Sequence, residues 1–103
     1  MLTLNKYERF LKDLETTGTA KMKVFGQSMK PKIKSGSTLT YQKADVYEVG
    51  DVVFCKVKSK IIEAHLITQV DGTGRYMISN NHGHQNGWTR QIYAKVVSIE
   101  PPT

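Results

Sequence analysis

Ser28 stands in "VFGQSMKPKIKSG" (24–36) and His65 in "IIEAHLITQV" (61–70), and this pair could pass a proton between them. A serine hydroxyl is a poor nucleophile near neutral pH and attacks a carbonyl only when a neighbouring base takes its proton. A neutral imidazole, with an ordinary pKa of about 6.5, suits that transfer. General-base assistance of this kind is worth about 10²–10⁴ in rate. The charge that develops on an attacked carbonyl needs donors. The backbone N–H groups of the turn Gly26-Gln27-Ser28-Met29 are the candidates, with Gly26 allowing close approach and Pro31 stiffening the chain after the serine. The plainer alternative is a turn serine that serves solubility and a strand histidine that only hydrogen-bonds.

Two kinds of element must position these groups. Leu4, Tyr7, Leu11 and Leu14 recur at three- and four-residue spacing, with Phe10 beside them, which predicts an amphipathic helix over 3–15 that Gly18 ends. From about Met22 onward the chain reads as β structure. The segments 38–42, 52–57, 61–70, 75–79 and 91–99 are rich in β-branched and aromatic residues, and "SGS", "VGD", "KSK", "DGTG" and "HGHQNG" separate them. Short strands at this spacing predict a mainly β fold, a small and largely antiparallel sheet or barrel with one N-terminal helix. Residues 1–20 form the helical part and 21–100 the β domain. A chain of 103 residues supports one modest core.

Alternation along the 61–70 strand puts Ile62, Ala64, Leu66 and Val70 on one face and Glu63, His65 and Gln69 on the other. His65 then faces a cleft or solvent, with Glu63 as a neighbour of unproven reach. Cys55, inside "VVFCKV", reads as core. His82 and His84 form a His-x-His pair in a Gly/Asn-rich loop; either is a candidate secondary partner for Ser28 or for substrate. No cysteine or cluster of acids joins them, so no metal site is expected, and no residue here calls for a cofactor. Trp88 and Tyr93 could stack on bases, although strand aromatics usually belong to a core.

Bulk properties narrow the partners. The chain carries a formal charge of +6, with lysines at 21, 23, 30, 32 and 34 and again at 56, 58 and 60. Such a surface speeds encounter with acidic partners, nucleic acid among them, but a lysine-rich face is most often only solvated. No run of about 18 apolar residues is present, so no membrane span is expected. The charges in "MLTLNKYERFLKDLE" argue against a signal peptide. A single cysteine fits a reducing, cytoplasmic setting.

The ordered pieces "GQSMKPKIKSGS" (26–37), "VGDVVFCKV" (49–57), "AHLITQVDGTGRYMISNN" (64–81) and "IYAKVVSI" (92–99) resemble the LexA/type I signal peptidase superfamily of serine peptidases. The resemblance covers nearly everything after the first helix. It implies that family's β fold, with Ser28 as nucleophile. In place of the family's usual Lys-Arg pair this chain has His65-Leu66, which is similar to the Ser/His branch, where His65 would be the base. That branch carries acids after the histidine. Here Asn80, Gln85 and Asn86 stand in that region, and Gly36-Ser37 replaces a Gly-Asp pair. The resemblance implies a phage or prokaryotic relative, a soluble endopeptidase acting on another protein or peptide. A catalytically inert binding module of the same fold is the alternative. The Ala-Gly and Cys-Gly dipeptides at which LexA-like repressors cut themselves do not occur. "GTA-K" (18–21) has the small-x-small form that signal peptidases cut after.

Overall fold

The computed structural model describes residues 5–102. Helix α1 (Lys6–Thr17) begins where Asn5 can cap it. The Asn5 side chain accepts from the Glu8 N–H, and the Glu8 carboxylate accepts from the Asn5 N–H. It ends at Gly18, whose φ of +79° lets its N–H turn back to the Leu14 carbonyl. Phe10 and Leu14 are buried, and Tyr7 and Leu11 pack partly beneath them, as the stripe predicts. Leu4, read as the first member of that stripe, lies outside the described residues.

The helix leads into seven strands: β1 (Thr19–Val24), β2 (Ser37–Gln42), β3 (Val52–Val57), β4 (Lys60–Val70), β5 (Tyr76–Ser79), β6 (Gln85–Thr89) and β7 (Gln91–Glu100). They form one antiparallel sheet in the order β1-β2-β7-β3-β4-β5-β6, curled into a half-barrel. The mainly β expectation holds, with two strands beyond those read from sequence. In β1 exposed and buried residues alternate through "TAKMKV", a period-2 signal that begins before Met22. Strand β6, "QNGWT", has little β propensity. It is a strand because it pairs with β5, Met77 opposite Trp88 and Ile78 opposite Gly87.

The curl gives the sheet two apolar faces. One holds Phe10 and Leu14 of α1, Leu39, Tyr41, Val52, Phe54 and Ala94; the other holds Tyr47, Val53, Cys55, Val57, Ile67 and Ile78. Strand β3 contributes to both, which explains the continuous apolar run Val52-Val53-Phe54-Cys55. The first face centres on aromatics. Phe10 lies 4.5 Å from Phe54 and meets Tyr41 edge-on at 4.9 Å, centroid to centroid.

Strict alternation fails in β4. Cys55 pairs with Ile62 and Val53 with His65, so three steps along β4 face two along β3. Such a bulge shifts which side chains share a face. Ile61, Ala64 and Leu66 pack towards α1, while Ile62 and Ile67 join the opposite cluster. The expected grouping of Ile62 with Ala64 and Leu66 is therefore corrected.

Candidate active site

The segment between β1 and β2 carries Ser28 on a short turn anchored from inside. Met29 and Ile33 are buried in the α1-side core, and the Ile33 N–H reaches the Met29 carbonyl. Gly26, at φ +119°, makes a bend that side chains rarely adopt, and its N–H donates to Ser35 Oγ at 3.0 Å. Gly36 closes the loop by donating to the Val24 carbonyl at 2.7 Å. Ser28 itself is exposed. Since Gly26 is already engaged, the free donors of this turn are the Gln27, Ser28 and Met29 N–H groups, which have no partner among the described residues.

His65 comes directly after the β4 bulge. Its Nε2 lies 3.1 Å from Ser28 Oγ, and its Nδ1 lies 2.8 Å from Asn86 Oδ1 on β6. The ring is half-buried, and burial pulls its pKa below the ordinary value. The Asn86 hydrogen bond opposes that change, and His84 adds to it through charge repulsion. At neutral pH the imidazole is the free base.

The β5–β6 hairpin holds the serine turn directly. The Asn81 N–H donates to the Ser28 carbonyl at 2.9 Å, its Nδ2 donates to the Lys30 carbonyl at 3.0 Å, and His82 Nε2 lies 3.0 Å from the Gln27 carbonyl. Asn80 shapes the hairpin by accepting, through Oδ1, from the N–H groups of His82 and His84. His82 thus meets the backbone of the serine turn. Gln27 offers its carbonyl, and Met29 offers a core anchor.

Glu63 takes a different course from that suggested by its place two residues before His65. Tyr7 donates to Glu63 Oε2 at 2.5 Å, and Lys6 Nζ approaches the same oxygen at 3.4 Å. The carboxylate pushes the Tyr7 phenol up to about 12. The hydrogen-bond partners of His65 are Ser28 and Asn86. A cleft of about 350 Å³ runs between these groups, lined by Val24, Phe25, Met29, Ile33, Ala64 and Tyr7 with Ser28, Glu63 and His65 along it.

Other singled-out residues lie elsewhere. Cys55 is fully buried on the far face, and Tyr93 packs 5.9 Å from Phe54. Trp88 is capped by the Arg75 guanidinium, 5.5 Å from its ring centroid. Ala20, the residue after which "GTA-K" would be cut, is buried in β1 and paired with Tyr41 of β2. Among the described residues no three His, Cys, Asp or Glu side chains converge as metal ligands do, and no helix is long and apolar enough to cross a membrane.

Sequence reasoning missed Asn81 and Asn86. Asn86 registered only as an amide in a region where the resemblance led us to expect an acid. The partnership with His65 arises because β6 folds back onto β5, which itself pairs with β4, a pairing that "QNGWT" does not announce. Residues 3–97 match the sequence profile of the family described as Peptidase S24-like. Among curated proteins, none matches the chain at a significant level.

Proposed function

The chain belongs to the S24-like peptidase family, and from that premise we propose that it is a serine endopeptidase cleaving a protein or peptide, with Ser28 as nucleophile and His65 as general base. The observation that carries this reading is the 3.1 Å approach of Ser28 Oγ to His65 Nε2 at the edge of an open cleft.

In the proposed reaction His65 Nε2 takes the Ser28 hydroxyl proton as Oγ bonds to the substrate carbonyl carbon. The carbonyl π pair moves to oxygen, where the Ser28 and Met29 N–H groups can receive the charge. Collapse of the tetrahedral intermediate breaks the C–N bond, and the imidazolium returns its proton to the leaving amine. Water, activated by the same nitrogen, then hydrolyses the ester on Ser28. In this reading the cleft receives the peptide between the polar groups of Ser28, Ser35, Glu63 and His65 and apolar side chains such as Phe25 and Ile33. A single buried cysteine fits action in a reducing compartment such as the cytoplasm.

An alkyl fluorophosphonate, which modifies activated serines, tests the reading. The intact protein is expected to be labelled, Ser28→Ala not at all, and His65→Ala on the order of 10²–10⁴ times more slowly. Equal signal from the intact protein and Ser28→Ala overturns it. One feature favours a second reading, an inert binding module: the imidazole's second partner is an amide and not a carboxylate. Salt-sensitive heparin binding unaffected by Ser28→Ala, without labelling, is the result that reading requires.

A further inference from the structure

The Asn86–His65 contact gives the imidazole a direction. An amide oxygen only accepts hydrogen bonds, so the imidazole nitrogen facing it must carry the proton. In the neutral ring Nδ1 is then the N–H, and Nε2 presents its lone pair to the Ser28 hydroxyl. The opposite tautomer would aim an N–H at Ser28 Oγ and a lone pair at Asn86 Oδ1, leaving nothing to accept the serine proton.

We propose that Asn86 is the positioning residue of the Ser28–His65 pair, holding the ring in the Nδ1–H tautomer through a neutral acceptor where a carboxylate would be expected. The inference deepens the peptidase reading and rests on it for its catalytic meaning, although the tautomer can be observed without any activity.

Two further features support the assignment. Asn86 is part-buried on β6, in the hairpin whose turn residues Asn81 and His82 grip the carbonyls of Gln27, Ser28 and Lys30. One hairpin therefore sets both the serine turn and the ring. Second, among the described residues no charged group takes the amide's place on Nδ1. Glu63, the carboxylate lining the cleft, is bound by Tyr7 and Lys6 of α1; Lys34 lines the wall from the β1–β2 segment; His84 stands on the β5–β6 turn. An amide orients the ring without lending the imidazolium a counter-charge, so the base stays unprotonated to lower pH than it would beside an aspartate.

The test uses the full chain and two readouts: ¹⁵N NMR of the His65 ring, and the rate of alkyl fluorophosphonate labelling as a function of pH. The wild-type ring is expected as the Nδ1–H tautomer. Asn86→Ala is expected to mix the tautomers and slow labelling about tenfold or more. Asn86→Asp restores an acceptor with charge; labelling returns, and both the ring titration and the acid limb of the rate profile rise by about 1–3 pH units. A wild-type Nε2–H tautomer overturns the proposal, as does Asn86→Ala with unchanged tautomer and rate. Should Asn86→Ala not fold, an unshifted His65 titration in Asn86→Asp overturns it equally. A wild-type protein inert to the probe but held as Nδ1–H would sink the peptidase reading and leave the positioning role of Asn86 standing.

Discussion

Glu63 and His65 sit two residues apart on β4, yet they belong to different neighbourhoods. Glu63 is bound by the helix, through the Tyr7 hydroxyl and Lys6; His65 is bound by the hairpin side, through Asn86, and faces Ser28. The helix side is built on interlocking aromatics and a charge with its own donors. The hairpin side is built on amides, backbone carbonyls and an exposed serine. The difference teaches that a carboxylate near a base in sequence need not serve it. Here the acid binds the covering helix, and the imidazole has an amide rather than a carboxylate as its second partner. The pKa displacements of Tyr7 on the helix side and His65 on the hairpin side run in opposite directions, up for the phenol and down for the imidazole.

The largest perturbation should come from the aromatic side. Phe54 is fully buried and touches Tyr7, Phe10, Tyr41 and Tyr93. Phe54→Ala should therefore cost about 3–5 kcal/mol in urea unfolding. A loss below about 1 kcal/mol would mean that the helix side is not where stability resides.

An intermediate effect should appear as opposite pH limits for the two neighbourhoods. For His65 the folded pKa lies below the unfolded one, so between them the unfolded chain binds more protons and stability rises with pH. This contribution is complete above about 6.5 and is lost as pH falls through the folded value. The acid slope should flatten in His65→Gln. For Tyr7 the folded pKa is about 12 against an ordinary 10.0, so its contribution is complete below 10.0 and is lost as pH climbs from 10.0 towards 12. Tyr7→Phe should weaken that alkaline loss without abolishing it, because burial also raises the Tyr41 pKa. Unfolding midpoints measured from pH 5 to 11 would show both limits. Identical alkaline profiles for Tyr7→Phe and wild type would break the contrast.

The smallest effect should come from Lys6. Its ammonium is half exposed and 3.4 Å from the Glu63 oxygen that Tyr7 already satisfies. Lys6→Ala should shift stability by no more than about 0.5 kcal/mol, and by less in high salt. A loss of about 2 kcal/mol, well beyond what an exposed pair supplies, would show that the ion pair, rather than the phenol, holds Glu63.

What the sequence determined by itself was local. Apolar spacing and Gly18 specify α1, because a helix writes its buried face at 3.6-residue intervals and its end in a residue that tolerates positive φ. Runs such as "VVFCKV" and "IIEAHLITQV" specify strands, and the Gly-x-Ser-Met turn with a strand histidine marks the pair of groups worth asking about. Tertiary structure decided which neighbours those groups have. The β4 bulge separates Glu63 from His65, and a one-residue change of register reassigns every side chain beyond it. Asn86 reaches the ring because β6 adds to the sheet edge, and "QNGWT" becomes a strand through partners it acquires only on folding. Pairing between distant segments is a property of the assembled sheet, and no single stretch of chain carries its register.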